Sequence, residues 1–341
     1  MSLSLEDAAK AQHLLASSRH VLCVCHRAPD GDAIGSLLGI GLLLEKHLPQ
    51  VHVTFHCVDP VPETFHFLPG VFRVQRAPAT ASYPLPGEQP LQGDETIIFL
   101  DCAEPKLTEM QSTHPAFFDG SFQTIVIDHH PMNPRFGTHN FLVPDAASTC
   151  EIIVDLAKSW GWSIDADCAT CLLTGVYTDT GGLLHSNTTA KVYRTVAELL
   201  RVGGRRQAVV TAVFRMAKLS TLRLWGRVLE KITLTEEGGA ISAVTEGDFR
   251  ATEAEYSELT GAIDYVNAVP GMRFSLILSE RDGKVKGSLR TLRDDVDVSK
   301  MAGKFSGGGH KKAAGFALEG KLRPEVRWKV VDNDKEEDVT L

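Results

Sequence analysis

Five aspartates and three histidines stand where apolar runs of this sequence have just ended. His26, Asp30 and Asp32 follow the run His20–Cys25, and Asp101 follows Thr96–Leu100. Asp128, His129 and His130 follow Gln123–Ile127, and Asp179 ends a helix-like stretch just before Gly181-Gly182. Carboxylates brought into one cleft cannot all stay ionised without cations, because like charges a few ångström apart displace one another's pKa. A bound divalent metal resolves that conflict. Carboxylate and imidazole donors without thiolate point to Mn²⁺, with Mg²⁺, Fe²⁺ or Co²⁺ as alternatives. One aspartate shared between two ions about 3.5–4 Å apart is the arrangement of two-metal phosphoester hydrolysis. Each residue also has a plainer reading: Asp32 as a helix N-cap, Asp30-Gly31 as a turn, Asp101 as a cap for the next helix, Asp179 as a polar loop residue. Their joint arrival at one sheet edge is what points to a hydrolytic metal site.

A second group lies far downstream. Gly307-Gly308-Gly309-His310-Lys311-Lys312-Ala-Ala-Gly315 is glycine-rich and cationic, and consecutive glycines let backbone N–H groups approach an anion closely. Between Arg281 and Lys312 there are nine Lys/Arg against four Asp, a window of net +5 in a chain of net −8. A local positive patch of that size, Arg290 within it, suits a small anionic ligand better than a long polyanion.

The acids and imidazoles can meet only if the strands ending in them are parallel neighbours, because polar residues at the carboxyl ends of parallel strands line one crevice. The patterning agrees. Helices over Leu3–Ser17 (Ser4 as cap), Ala33–His47, Ser148–Ser159 and Asp165–Tyr177, and one around Pro105–Met110, are interleaved with strands at His20–Cys25, Val51–Val58, Thr96–Leu100 and Gln123–Ile127. Alternation of this kind predicts an α/β, doubly wound parallel sheet. Lys191–Arg201 and Gln207–Lys231 read as helical. Beyond them the pattern changes to a smaller α+β unit, with strands at Ile232–Leu234, Ala240–Thr245, Phe274–Glu280 and Lys284–Leu289. Its helices are expected over Glu253–Val269 and Asp297–Phe305, with Asp282-Gly283 as a hairpin turn. The expected domains are residues 1–190, a helical linker at 191–230, a second domain at 231–325 and an acidic tail at 326–341, with Arg76–Gly93 an excursion loop.

With 341 residues, 43% hydrophobic and 23% charged, the chain has the composition of a globular protein of about two domains. No apolar run reaches the length of a membrane helix, and the amino terminus has no signal-peptide pattern, so a cytoplasmic location and no membrane partner are expected. The seven scattered cysteines suit buried thiols in a reducing compartment, and Cys168-Ala-Thr-Cys171 lacks the second pair that a zinc site needs.

In order, His26-x₃-Asp30-Gly-Asp32-Ala-Ile-Gly-Ser36, Asp101, Asp128-His129-His130-x₂-Asn133 and Tyr177-Thr-Asp179-Thr-Gly resemble the four motifs of the DHH phosphoesterases. The Gly307–Gly315 stretch resembles the signature of the associated DHHA1 domain, and the resemblance covers about residues 10–320. It implies that His26, Asp30 and Asp101 hold one Mn²⁺, and that Asp32, Asp101, His129 and Asp179 hold the other, Asp101 bridging. It also implies that His130 orients the site or contacts the scissile phosphate, with Asp128 and Asn133 supporting from behind. Arg290, Gly308, Gly309, His310 and Lys311 match positions that hold the substrate's terminal nucleotide or phosphate. The layout is most similar to the nanoRNase branch, whose members cut short oligoribonucleotides to mononucleotides and dephosphorylate 3′-phosphoadenosine 5′-phosphate (pAp). The branch cleaving cyclic di-AMP or pApA is the alternative. A non-catalytic nucleotide sensor and a pyrophosphatase are readings of other kinds. Long duplex nucleic acid is not an expected partner, and a homodimer is what the resemblance suggests.

Overall fold

A computed structural model describes residues 4–76, 95–215 and 217–323; residues 77–93 of the expected excursion loop and the acidic tail lie outside the described residues. The chain divides into two compact units, residues 1–216 and 217–341.

The first unit is laid out as α1 (Leu5–Ser17), β1 (His20–Cys25), α2 (Gly31–His47), β2 (His52–His56), β3 (Val74–Gln75), β4 (Glu95–Leu100), β5 (Gln123–Asp128) and β6 (His139–Leu142). It closes with α3 (Thr149–Ser159), α4 (Ala166–Asp179), α5 (Ala190–Arg201) and α6 (Arg206–Phe214). All six strands are parallel, in the order β3-β2-β1-β4-β5-β6. The order reverses between β1 and β4, so the crevice at their carboxyl ends is the switch point where such sheets bind ligands. Alternation along the strands separates two apolar layers. Val21, Cys23, Ile98 and Ile125 join the helical layer of α1–α4, whereas Leu22, Val24, Ile97, Phe99 and Val126 meet Met110, Phe117 and Phe118 on the other face.

Helices α2 and α4 cross closely, with glycines of α2 seated against the backbone and side chains of α4. A Cβ at Gly35 would lie 2.5 Å from the Cys171 carbonyl oxygen, and one at Gly175 would lie 2.3 Å from both Asp32 Oδ1 and Cys150 Sγ. These glycines are there for close approach. All seven cysteines are buried and unbridged; Cys168 donates to the Gly39 carbonyl across the same crossing.

The second unit contains α7 (Leu219–Glu230), β7 (Thr233–Leu234), β8 (Gly239–Val244), α8 (Glu246–Thr252), α9 (Ala262–Asn267), β9 (Phe274–Arg281), β10 (Lys284–Arg290), α10 (Val298–Gly303), β11 (Gly308–His310) and β12 (Ala313–Glu319). Its sheet runs β11-β12-β10-β9-β8-β7, with β8 and β9 parallel and the other pairs antiparallel. Asp282 and Gly283 both have positive φ, as a two-residue hairpin joining β9 to β10 requires. Among the described residues no helix is long and apolar enough to cross a membrane.

Several elements differ from expectation for local reasons. The helix expected over Glu253–Val269 is only a 3₁₀ turn at Tyr256–Leu259 and the short α9, and a helix that was not expected, α8, precedes it. Thr245 and Asp248 form a capping box that starts α8, left-handed Glu253 (φ 55°) ends it, and Gly261 (φ 91°) separates the 3₁₀ turn from α9. Pro105–Met110 yields only a 3₁₀ turn, Pro105–Thr108, ended by Glu109 at φ 55°. The helix expected over Gln207–Lys231 is two helices, α6 and α7, which fall in different units. The Gly-rich stretch is an edge strand and hairpin rather than an open loop. Its glycines serve a close pairing, since a Cβ at Gly309 would meet the Ala313 carbonyl at 2.6 Å.

Candidate active site

Register brings the acids and imidazoles together. Cys25 pairs with Leu100 and Leu100 with Ile127, so the chain leaves β1, β4 and β5 side by side at residues 26, 101 and 128. Asp101 takes a left-handed backbone (φ 57°), which aspartate tolerates better than most residues, and its N–H donates to the Ile127 carbonyl at 3.0 Å. The carboxylate, 2% exposed, then stands among three imidazoles. His26 Nε2 lies 3.5 Å from Oδ2, while His129 Nε2 and His130 Nδ1 lie 3.6 and 3.7 Å from Oδ1.

Two of the rings have their tautomers set from behind. His26 Nδ1 is 2.7 Å from the Arg27 carbonyl and His129 Nδ1 is 3.3 Å from the Ala146 carbonyl. A carbonyl can only accept, so the proton is on Nδ1 and Nε2 faces the carboxylates, the usual disposition of a metal-ligating histidine. His130 is held otherwise, by a 2.7 Å hydrogen bond from Nδ1 to the fully buried Asp128. Asp128 is fixed in turn by Asn133, whose Nδ2 donates to it at 2.7 Å and to the Cys102 carbonyl at 2.9 Å.

The cap falls on Asp30 and not on Asp32. Asp30 is the N-cap of α2, accepting from the Asp32 and Ala33 N–H groups at 3.0 Å each, with its side chain 58% exposed beside His26 Nε2 at 3.9 Å. Asp32 is completely buried and accepts from the first N–H groups of α3 instead, Thr149 at 2.6 Å and Cys150 at 3.0 Å. At the end of α4, Asp179 Oδ2 is 3.3 Å from His129 Nε2. Three sets of donors thus lie within 4.8 Å of one another: His26, Asp30 and Asp101; Asp32, His129 and Asp179; Asp101, His129 and His130.

The electrostatics of this cluster are those of a site short of positive charge. Among the described residues, no Lys or Arg forms an ion pair with these aspartates. Burial and the neighbouring Asp101 push the Asp32 carboxyl up to about 7. Burial, with the carboxylates of Asp32 and Asp30, raises Asp179 well above the usual range. Burial would also raise Asp101, but the hydrogen bond from His26 and the charge on His129 outweigh it and hold it low. Burial disfavours charge on the imidazoles too, yet Asp101 raises His26 to about 10, and Asp128 with Asp101 raises His130 to about 9. Protons here occupy the places of cations, and the oxygen and nitrogen donors fit hard or borderline divalent ions.

In the second unit, Arg290, Ala313 and His310 are register partners across β10, β12 and β11, so their side chains leave the same face of the sheet with only a methyl between the two larger ones. The adjoining row is Ser288, Gly315 and Gly308, a floor of small residues. Lys311 lies in the turn, its carbonyl accepting from Val298 N–H at 2.9 Å, and Lys312 is paired with Asp294 at 2.7 Å.

A family model described as "DHH family, N-terminal domain" matches residues 20–176, and one described as "DHHA1 domain" matches residues 239–333. The chain is also 33% identical to a Thermus thermophilus protein named bifunctional oligoribonuclease and PAP phosphatase NrnA, over 96% of this chain and 93% of that one. It belongs to the DHH family. A Bacillus subtilis protein of the same name is 25% identical over 86% of this DHH chain and 87% of its own. A Listeria monocytogenes protein named cyclic-di-AMP phosphodiesterase PdeA is 22% identical over 90% of this chain but only 46% of its own length. The fold is shared with an exopolyphosphatase-related protein of Bacteroides fragilis (TM-score 0.82, 24% identity, covering 94% of this chain and 93% of that one). DHH phosphoesterases are metal-dependent, and the buried acids and imidazoles of this member are a cluster that could hold metal.

Three residues of this DHH site escaped the motif reading. Thr149 Oγ1 donates to Asp101 Oδ1 at 3.0 Å; His185 Nδ1 and Asn187 Nδ2 both donate to the Asp179 carbonyl at 3.2 Å. For Thr149 the available signal was Ser148 with Glu151 three residues on, which marks a helix start but not what it faces. For the other pair there was only their closeness to Asp179.

Proposed function

We propose that this chain hydrolyses short oligoribonucleotides to mononucleotides and dephosphorylates pAp, using two divalent ions, Mn²⁺ before Mg²⁺, Co²⁺ or Fe²⁺. The observation that carries this reading is the 33% identity to a bifunctional oligoribonuclease and PAP phosphatase over nearly the whole of both chains. His26, Asp30 and Asp101 hold one ion, and Asp32, Asp101, His129 and Asp179 the other. When bound, such a pair supplies an activated water and neutralises charge developing on phosphorus. The protein's own part is orientation. The carbonyls of Arg27 and Ala146 keep His26 and His129 with Nε2 forward, and Asp128 accepts from Nδ1 of His130 and fixes its ring, so the proton His130 offers a phosphoryl oxygen is the one on Nε2. Arg290, His310, Lys311 and the backbone of Gly308 and Gly309 take the terminal nucleotide. Long duplex nucleic acid gains nothing from so local a patch in an acidic chain.

A panel of a 5-mer RNA, pAp, pApA, cyclic di-AMP and pyrophosphate, each with Mn²⁺ and with EDTA, tests the reading. Mononucleotides from the 5-mer and phosphate from pAp are expected, both abolished by EDTA, with cyclic di-AMP and pyrophosphate at least about tenfold slower. Cyclic di-AMP as the best substrate would move the chain to the alternative branch. Binding without turnover of any member would make it a sensor.

The cluster also predicts a pH effect. In the metal-free protein Asp32 keeps a proton between 3.8 and about 7, and His26 and His130 between 6.5 and about 10 and 9, that the unfolded chain has already released. The native state therefore holds more protons, and stability falls as pH rises through those intervals. Asp101, with its lowered pKa, acts in the opposite sense only below about pH 4. Metal ligands must be deprotonated, so affinity rises with pH. The gain in Tm on adding Mn²⁺ should therefore grow from pH 5.5 to pH 8.5 in a thermal-shift series. A constant gain would mean that these groups do not bind the ion.

A further inference from the structure

The amino end of α3 and the turn before it touch three members of the cluster: His129, Asp32 and Asp101. Ala146 accepts from His129, the Thr149 and Cys150 N–H groups hold both oxygens of Asp32, and the Thr149 hydroxyl holds Asp101. Thr149 is completely buried. Facing a carboxylate, its hydroxyl must be the donor. The terminal torsion of an aspartate is broad and roughly two-fold, so the covalent chain leaves the plane of Asp101 free to turn. The hydroxyl removes that freedom. It occupies one lone pair of Oδ1, the oxygen on the His129 and His130 side, and leaves Oδ2 to the His26 side. As a β-branched residue in the first turn of a helix, threonine has few rotamers with which to withdraw that hydroxyl. The helix start is itself anchored, because Ser148 accepts from the Glu151 N–H at 3.1 Å and Glu151 accepts from the Ala147 N–H at 2.8 Å.

We propose that Thr149 is a positioning residue of the metal centre, its hydroxyl dividing the Asp101 carboxylate between the two ions while its backbone N–H holds Asp32 in the same frame. The inference rests on the two-ion reading above. One residue thus ties together the shared ligand and a ligand of the second ion, from an element that supplies no ligand itself. Loss of such a supporting hydrogen bond lowers metal affinity by about 10–100-fold in other sites.

The test is calorimetric titration of the metal-free full chain with Mn²⁺, for the wild type, Thr149→Val and Thr149→Ser. Thr149→Val keeps the shape and the backbone N–H and loses only the hydroxyl; Thr149→Ser keeps the hydroxyl. Weakening of at least one Mn²⁺ site by about 10–100-fold is expected in Thr149→Val, with affinity within about threefold of wild type in Thr149→Ser. Thermal melts of the metal-free proteins separate this from a folding defect, and Thr149→Ala takes the place of Thr149→Val if the latter does not fold. Wild-type affinity in the hydroxyl-less variant, or equal weakening in both variants, overturns the proposal. A wild-type chain that binds no Mn²⁺ overturns the two-ion reading beneath it instead.

Discussion

Asp101→Asn is expected to lower kcat on both a 5-mer RNA and pAp by on the order of 10³-fold or more, while leaving the fold intact. The size of the effect follows from where the charge sits. Its two oxygens face different imidazole groups, and no other aspartate of the cluster lies within reach of His26, His129 and His130 together. Asparagine is the informative replacement because, like aspartate, it tolerates the left-handed backbone at position 101. Alanine there would add a strain of about 1–2 kcal/mol and mix a folding defect into the result. The two substrates should fall together, since the residue acts on the reacting phosphorus and not on the nucleotide. Steady-state kinetics at saturating Mn²⁺ checks this, and near-normal turnover in the variant would rule out the shared-ligand assignment. Metal-free Asp101→Asn should also lose the raised pKa of His26, because the carboxylate that outweighs burial is gone; ring-proton NMR titration reads that directly.

The second large effect is structural in origin. Gly175→Ala should destabilise the protein by about 1–3 kcal/mol and weaken Mn²⁺ binding as well. Alanine is the better helix former by about 1 kcal/mol, so the sign depends on whether the clash can be relieved. It cannot be relieved cheaply. The new methyl would sit 2.3 Å from an Asp32 oxygen, and that carboxylate is pinned by two backbone N–H groups of α3. The helices must separate instead. Because α2 starts at Asp30 and Asp32 and α4 ends at Asp179, separating them pulls ligands apart. Gly226→Ala is the control: it lies within α7 with open space around its Cβ position, and should stabilise by about 0.5–1 kcal/mol without touching activity. A Gly175→Ala protein melting like wild type would show that the crossing is looser than its geometry implies.

Much of this was legible in the residues themselves. Apolar runs of five or six residues ending in acids or imidazoles mark strands and where they end, and the helix between β1 and β2 obliges that pair to be parallel; β4 and β5 are parallel neighbours joined through 3₁₀ turns alone. The family resemblance then named residues that stand together at the switch point of the sheet. What could not be read was contact made by helices whose angle and height on the sheet depend on all their neighbours. Thr149 meets Asp101 across 48 positions of sequence, and in the chain it is one more hydroxyl at a helix start. The placing of the cap on Asp30 was hidden for a similar reason: both residues fit it, and only the arrival of α3 over Asp32 decides between them. Short edge strands such as β3 and β6 carry too few residues to show a period. The Glu253–Val269 stretch reads as one helix, but left-handed Glu253 separates it from α8 and left-handed Gly261 divides it.

The donors around Asp101 come from strand ends, loops and helix ends scattered from His26 to Asp179, and only the folded sheet and the helices packed on it bring them together. An unfolded chain therefore has no site, and any ion the cluster takes up is a ligand of the native state alone. At a free concentration one hundred times Kd, each such ion adds about 2.7 kcal/mol to the free energy of unfolding, a sizeable share of the roughly 5–15 kcal/mol typical of a domain. Metal supply would then govern the lifetime of the protein as well as its turnover number, because the starved, metal-free chain is the form that opens to proteases.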